Sequence, residues 1–457
     1  MSRKFPSWVY VTLLMLVPFV GSTQTISTGK LKLQAEKNLR YLAKGSAIKN
    51  AFTFELHGIQ LREFNQNGQV ESSNPFFLQY QLIPRLITLL ETTEPYELNK
   101  MAFSRLDRYR WQDILQQQTY SYAAARNYKE MPTSLDSLVV AIDPGHFAAN
   151  LKEAQWEEKW VKVKGSDVGQ KKDVQFYEAE LTDLTALILE TKLLEAGAKP
   201  FTSKPFGRPA IRPFFDWYKY DFKSDLFAAH RDHLITDTDL ELLTTHEKDS
   251  VFVFRKFYRF LEFRKRIDFI NQSVPNVTVS IHYNAHENSM RDKDGYLTPV
   301  KENYSMAFVP GAFLDRELLR VSEKVDFLRL LLSQDIDKSA RLAHLILEAE
   351  RNIAGISQVP QQNVAIDERY CMPTDWDGVY ARNLAITRSV KGPVVYLEAL
   401  LQDNDWEAVN LSKRDYEFIH PVHGKLYAPK RCEQIAEAIF TGIKQWVEEN
   451  RKYASIK

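Results

Sequence analysis

Ala141-Ile142-Asp143-Pro144-Gly145-His146 decides how this chain is read. An apolar run from Leu138 to Ile142 is broken by Pro-Gly, a turn signal, and the turn delivers a histidine. Two further apolar runs have the same form: Val277 to Ile281 ends on His282, and Val394 to Leu397 ends on Glu398. Each is short and holds β-branched residues, as suits strands buried on both faces of a sheet. If the three lie parallel in one sheet, His146, His282 and Glu398 emerge at its carboxyl edge, where open α/β sheets place their sites. A fourth element is an apolar helix opened by Glu178, in which Leu181, Leu184, Ile188 and Leu194 recur with Leu187 beside them and Gly197 serves as the C-terminal cap.

Two histidines and a glutamate are a recurring ligand set for catalytic zinc, which keeps its fourth position for water. His146, Glu178 and His282 fit that set. A further group must take the proton of the attacking water and pass it to a departing amine, and Glu398 is the candidate. Glu153, Glu157 and Glu158 lie between the first two candidates and are alternatives to Glu178. Taken singly, His146 reads as a turn residue and His282 as a core histidine. Glu398 at the end of a third apolar run tips the balance, because a buried carboxylate without a partner is costly. His230 and His233 read as surface, and His286 stands near enough to the second strand to touch substrate. His57, His246, His344, His420 and His423 carry no spacing signal.

The order Ile-Asp-Pro-Gly-His, then the Glu178 helix ending in Glu195-Ala196-Gly197-Ala198, then Ser280-Ile281-His282-Tyr283-Asn284-Ala285, then a strand ending in Glu398, resembles the zinc-dependent N-acetylmuramoyl-L-alanine amidases. Arg266-Ile267-Asp268-Phe269-Ile270-Asn271 resembles that family's Arg and Asn ahead of the second histidine strand, and the likeness runs from about Leu138 to the helix near Trp446. The resemblance implies that His146, Glu178 and His282 hold zinc and that Glu398 is the catalytic glutamate. It implies hydrolysis of the amide between N-acetylmuramic acid and L-alanine of the peptidoglycan stem. The implied fold is α/β: a three-layer α/β/α sandwich around a mostly parallel twisted sheet. Phe147-Ala148-Ala149-Asn150 stands where the family usually has Gly-Gly, and the link from His146 to Glu178 is longer than the family's.

The chain has 457 residues and a formal net charge of +1, which offers no long-range attraction to nucleic acid. Ser2-Arg3-Lys4 and the short apolar run from Trp8 to Val20 read as a signal peptide over residues 1–23, with an uncleaved anchor as the alternative. Export to the periplasm or beyond suits a wall substrate. Cys371 and Cys432 are the two cysteines, equally compatible with a disulfide and with two buried thiols.

Residues 24–134 carry none of these motifs and read as a small α+β accessory domain of unknown role. Phe52, Phe54 and Leu56 alternate with polar residues, Ile59 and Leu61 continue an extended pattern, and Asn65-Gln66-Asn67-Gly68 suggests a hairpin turn. Helices are expected over Leu78 to Leu90 and Leu98 to Leu115. Residues 135–451 form the expected zinc amidase domain, with insertions at about 203–255 and 287–335. The first insertion interleaves arginines with aromatics, suited to stacking on sugars or, slightly better, to a satellite hydrophobic cluster. A strand is expected over Met306 to Val309, and helices at Leu342 to Ile353 and Ile435 to Trp446. A zinc peptidase or other amidase, and a non-catalytic wall-binding regulator, are the competing functions; whether a protein activator takes part is open.

Overall fold

The computed structural model describes residues 28–62, 76–80, 83, 86–87, 90, 131–232, 234–287, 289–318, 321–359 and 369–456. The expected signal peptide, the Asn65 to Gly68 turn, the helix over Leu98 to Leu115 and His233 lie outside these residues. Among the described residues no helix is long and apolar enough to cross a membrane.

The N-terminal region begins with the helix Thr28–Leu42 and a three-stranded antiparallel sheet of β1 (Phe52–Phe54), β2 (Gly58–Leu61) and β3 (Phe76–Gln79). The expected extended pattern is broken at Leu56, which is 75% exposed in the reversal between β1 and β2. Strand geometry explains this. Side chains alternate between faces, so one continuous strand would send Ile59 to the face opposite Phe52 and Phe54. The reversal pairs Phe54 with Ile59 and turns all three toward one core. Leu78, expected to open a helix, instead lies in β3 opposite Ile59, while Ile83, Leu86, Ile87 and Leu90 are helical and buried. This core is completed by Phe313, Val325, Phe327, Leu330 and Ile336, so the N-terminal region and the stretch around the Val321–Leu332 helix share one hydrophobic cluster.

Downstream, the strands are β4 (Val139–Pro144), β5 (Trp160–Val163), β6 (Val174–Tyr177), β7 (Lys199–Thr202), β8 (Val277–Asn284), β9 (Met306–Pro310), β10 (Cys371–Pro373), β11 (Val379–Arg382), β12 (Val394–Leu401), β13 (Tyr416–His420) and β14 (Gly424–Ala428). Seven form the central sheet in the order β10-β11-β9-β12-β8-β4-β7. β12, β8, β4 and β7 are parallel; β9 runs against β12 and alongside β11, and β10 is antiparallel to β11. The strand predicted at Met306 is therefore integral to the sheet, although the surrounding stretch reads as an insertion.

Helices Glu178–Glu195, Asp335–Ile353 and Lys430–Ile456 cover one face, burying Leu181, Leu345 and Ile439 with Val279, Val395 and Leu397. Gly442 lets the last two approach closely: a Cβ there would come within 2.7 Å of Ile346. The other face is covered by Ile267 and Ile270 of helix Arg259–Ser273 and by Ile386 and Val390, packed on Ala141 and Val394. The fold is a three-layer α/β/α sandwich with a mixed, mostly parallel sheet. Cys371 and Cys432 are both buried and are not joined in a disulfide.

Residues 203–255 fold largely as helices, Phe214–Tyr220, Phe222–Arg231, Asp237–Thr245 and Ser250–Val253. Phe214, Trp217 and Phe222 interlock with Phe254, Phe257 and Tyr258 in an aromatic cluster. Of the aromatics interleaved with arginine, these pack internally, whereas Phe215 and Tyr220 face solvent.

Candidate metal centre and active site

The three predicted strands place His146, His282 and Glu398 at one edge of the sheet, and the helix Glu178–Glu195 begins there with Glu178 as its first residue. His146 occupies left-handed backbone space, φ 62°, which costs a non-glycine residue energy unless its surroundings fix it. The surroundings do. Fully buried Arg266 donates to the carbonyls of Pro144, at 2.7 Å, and His146, and pairs with Asp143 at 3.3 Å and Glu262 at 3.0 Å. Thr182 donates to the Gly145 carbonyl at 2.7 Å, and Gly145 donates to that of Ile281 at 2.9 Å. Gly145 must be glycine, because a Cβ would lie 2.4 Å from the His282 ring. Phe147, in place of the expected glycine, does not disturb this turn. Its ring is buried in the aromatic cluster, 5.4 Å from Phe254 and 5.7 Å from Tyr258.

His146 Nε2, Glu178 Oε1 and His282 Nδ1 form a near-equilateral triangle with sides of 3.1, 3.2 and 3.3 Å. Zinc bonds of about 2.0–2.1 Å in a tetrahedron set ligand atoms about 3.3–3.4 Å apart, so these donors fit a divalent cation. The neighbouring hydrogen bonds of His146 and Glu178 leave these two presenting acceptor atoms to His282. His146 Nδ1 lies 3.0 Å from Glu157 Oε1, which assigns the proton to Nδ1 and leaves the lone pair on Nε2. Glu178 Oε1 accepts from the Tyr283 amide at 2.9 Å, and its Oε2 accepts from Gln402 at 3.1 Å. Lone pairs this close repel unless a cation or a proton sits between them. The acid–base shifts express the same demand. Burial opposes protonation of His146, but Glu178 and Glu157 outweigh it and raise its pKa to about 9. Burial pushes Glu178 up, yet His146 and Lys159 hold it well below the usual carboxylate range. His282 is drawn down to about 4, chiefly by burial. Among the described residues these three are the one group of His, Cys, Asp and Glu side chains disposed to hold a metal.

Glu398 pairs in register with His282 on the adjacent parallel strand, so both side chains leave the same face. Its Oε2 is buried without a hydrogen-bond partner among the described residues. Burial, with the Glu178 charge adding to it, raises its pKa to about 7. A carboxyl poised at that value can take and return a proton at neutral pH.

The alternatives to Glu178 lie elsewhere. Glu157 is one step back, behind His146; Glu153 accepts from the Ala149 amide at 3.0 Å; Glu158 pairs with Arg255 at 2.9 Å. His230 pairs with Asp237 at 2.6 Å, His344 stacks on Trp376, and His420 lies 3.3 Å from Glu190, all apart from the centre. The His286 amide donates to Asp403. Lys159, Tyr396 and Gln402 are contributors that the sequence reading missed. Lys159 is brought in by the β5–β6 hairpin, whose Val161/Val163 and Val174/Phe176 alternation around Gly169 was a readable signal. Tyr396 and Gln402 gave none, since their position follows from strand pairing.

Residues 220–420 match the family model described as N-acetylmuramoyl-L-alanine amidase, a span that holds His282 and Glu398 and stops short of His146 and Glu178. No curated protein matches the chain in sequence. Similar solved structures include the CwlD amidase from Clostridioides difficile, in complex with the GerS lipoprotein: 14% identity, TM-score 0.36, covering 68% of this chain and 100% of that one. Others are the N-acetylmuramyl-L-alanine amidase Ami1 from Mycobacterium smegmatis (14%, TM-score 0.37, 69% and 99%) and the CwlV catalytic domain from Bacillus (Paenibacillus) polymyxa (15%, TM-score 0.34, 68% and 98%). Residues 220–420, which hold His282 and Glu398 within the sandwich, are thus similar to the N-acetylmuramoyl-L-alanine amidase family.

Proposed function

We propose that the chain hydrolyses the amide between N-acetylmuramic acid and L-alanine with zinc as its metal, His146, Glu178 and His282 as ligands and Glu398 as the acid–base residue. Residues 135–451 are the catalytic unit, residues 24–134 an adjunct, and export through the N-terminal segment brings the enzyme to peptidoglycan. The observation that carries the ligand assignment is the triangle of His146, Glu178 and His282 atoms beside a Glu398 oxygen without a hydrogen-bond partner among the described residues. Zinc held by two histidines and a carboxylate lowers the pKa of water to about 7 and polarises a carbonyl.

The protein's own groups do the rest. Glu157 holds the His146 ring by its Nδ1, and the Tyr283 amide and Gln402 fix both oxygens of Glu178. Glu398 accepts a proton from the attacking water and delivers it to the departing amine, both within reach of a pKa near 7. Elemental analysis of purified protein, with mass spectrometry of digested sacculi, tests the assignment. One zinc per chain and released peptides beginning with L-alanine are expected. Cuts within the stem, with muramic acid still acylated to L-alanine, would make it a zinc peptidase instead.

A further inference from the structure

A track of side chains leads away from the centre on the Glu398 face of the sheet. The His282 ring stacks on Tyr396 with centroids 4.1 Å apart, Tyr396 lies 6.0 Å from Phe308, and the Arg382 guanidinium sits 5.0 Å from the Phe308 ring. Sheet register produces the alignment: Tyr396 pairs with Phe308, Phe308 with Tyr380, and Arg382 follows two residues later on the same face. Each of these three neighbours comes from a different strand, so the track has a rigid floor.

Arg382 is half-buried and, beyond the Phe308 ring, makes no side-chain hydrogen bond or ion pair among the described residues. A guanidinium carries five donors in a fixed fork that matches a carboxylate. Its charge is close enough to act on Glu398 and on Lys159, and Lys159 stands 3.9 Å from Glu178 at the centre itself. Lys159 has Glu178 as its carboxylate partner, whereas the Arg382 fork has no such partner among the described residues.

We infer that Arg382 anchors a carboxylate on the peptide half of the substrate, with half-buried Tyr396 lining the way between and buried Phe308 supporting both from beneath. The inference rests on the amide-hydrolase reading. An extended peptide advances about 3.3–3.6 Å per residue, which places that carboxylate about two to four residues beyond the scissile amide. Arg382 is a specificity residue here, since it touches the substrate away from the reacting atoms.

The test uses the full zinc-loaded chain and pairs of four-residue N-acetylmuramoyl-L-alanyl-tripeptides that differ only in a free carboxylate or a carboxamide on the second, third or fourth residue. Wild type should prefer one carboxylate form by about 10- to 100-fold in kcat/KM, the usual scale for a charged hydrogen bond. Arg382→Gln should erase that preference and Arg382→Lys should retain part of it, with melting curves verifying the fold of both. Calorimetric binding of the free L-alanyl tripeptides gives a readout independent of turnover: the carboxylate form should weaken in Arg382→Gln and the amidated form should not. An equal preference in wild type and Arg382→Gln overturns the inference, as does a wild type indifferent to amidation. If wild type leaves the muramoyl amide intact but still binds the carboxylate peptide through Arg382, the amidase reading fails and the anchor stands.

Discussion

Two stretches between the elements that carry the candidate ligands, residues 148–177 and 203–255, support the centre in opposite ways. The first is polar toward the site: it brings Glu157 against His146 and Lys159 toward Glu178, so it sets charge and proton affinity. The second is mainly aromatic and packs on Phe147, whose burial anchors the turn carrying His146. One tunes electrostatics and the other holds geometry. A substitution in the first should therefore alter chemistry with little loss of stability, and one in the second should do the reverse.

The largest effect belongs to neither stretch and calibrates both. Glu398→Gln keeps the shape and removes the proton carrier, so turnover should fall by about 10²- to 10⁴-fold while metal content holds, checked by single-substrate kinetics beside elemental analysis. The pH profile has a definite sign. Only ionised Glu398 can accept a proton, so kcat/KM should rise with pH through a midpoint at or below about 7, a bound dication pulling the value down from its metal-free position. Glu398→Gln should lose that limb; a mutant that retains it would point to another base.

Phe214→Ala should unfold more easily by about 3–5 kcal/mol in chemical denaturation, the usual cost of emptying an aromatic core position. Metal affinity measured well below the denaturation midpoint should change little. Glu157→Gln should show the converse, with a 10- to 100-fold weaker metal affinity in competition titration, as is typical when a ligand's supporting carboxylate is removed, and near-native stability. If Phe214→Ala weakens metal binding more than Glu157→Gln does, the division of labour between the two stretches is wrong.

The smallest effect separates a working buried carboxyl from an idle one. Glu350, under the sheet, has both oxygens without a hydrogen-bond partner among the described residues, and burial raises its pKa well above the ordinary value against a weaker pull from Ser305 and Arg431. An acid with a raised folded pKa stabilises the fold fully below its unfolded pKa, and that contribution is lost as pH rises toward the folded value. Glu350→Gln should therefore be more stable than wild type at neutral pH, and less so at pH 4, with activity unchanged. Melting temperatures across that range decide it.

The sequence by itself determined the three apolar strands and the helix phase that set Glu178 first, because burial on two faces and a repeat of 3.6 residues leave a mark in consecutive residues. Pro144-Gly145 was legible too, as backbone chemistry. Tertiary structure decided what depended on neighbours distant in the chain. The reversal at Leu56 follows from which face must meet Phe313 and Phe327, and Leu78 becomes strand because Ile59 lies opposite it. The choice of Glu178 over Glu157 came from where the β5–β6 hairpin turns, which left Glu157 behind His146 rather than beside His282. Tyr396 came beside His282 only through the pairing of β12 with β8, and Arg382 reached the same face only through the pairing of β11 with β9, since a strand's own pattern gives the face of each side chain but not the strand that will stand beside it.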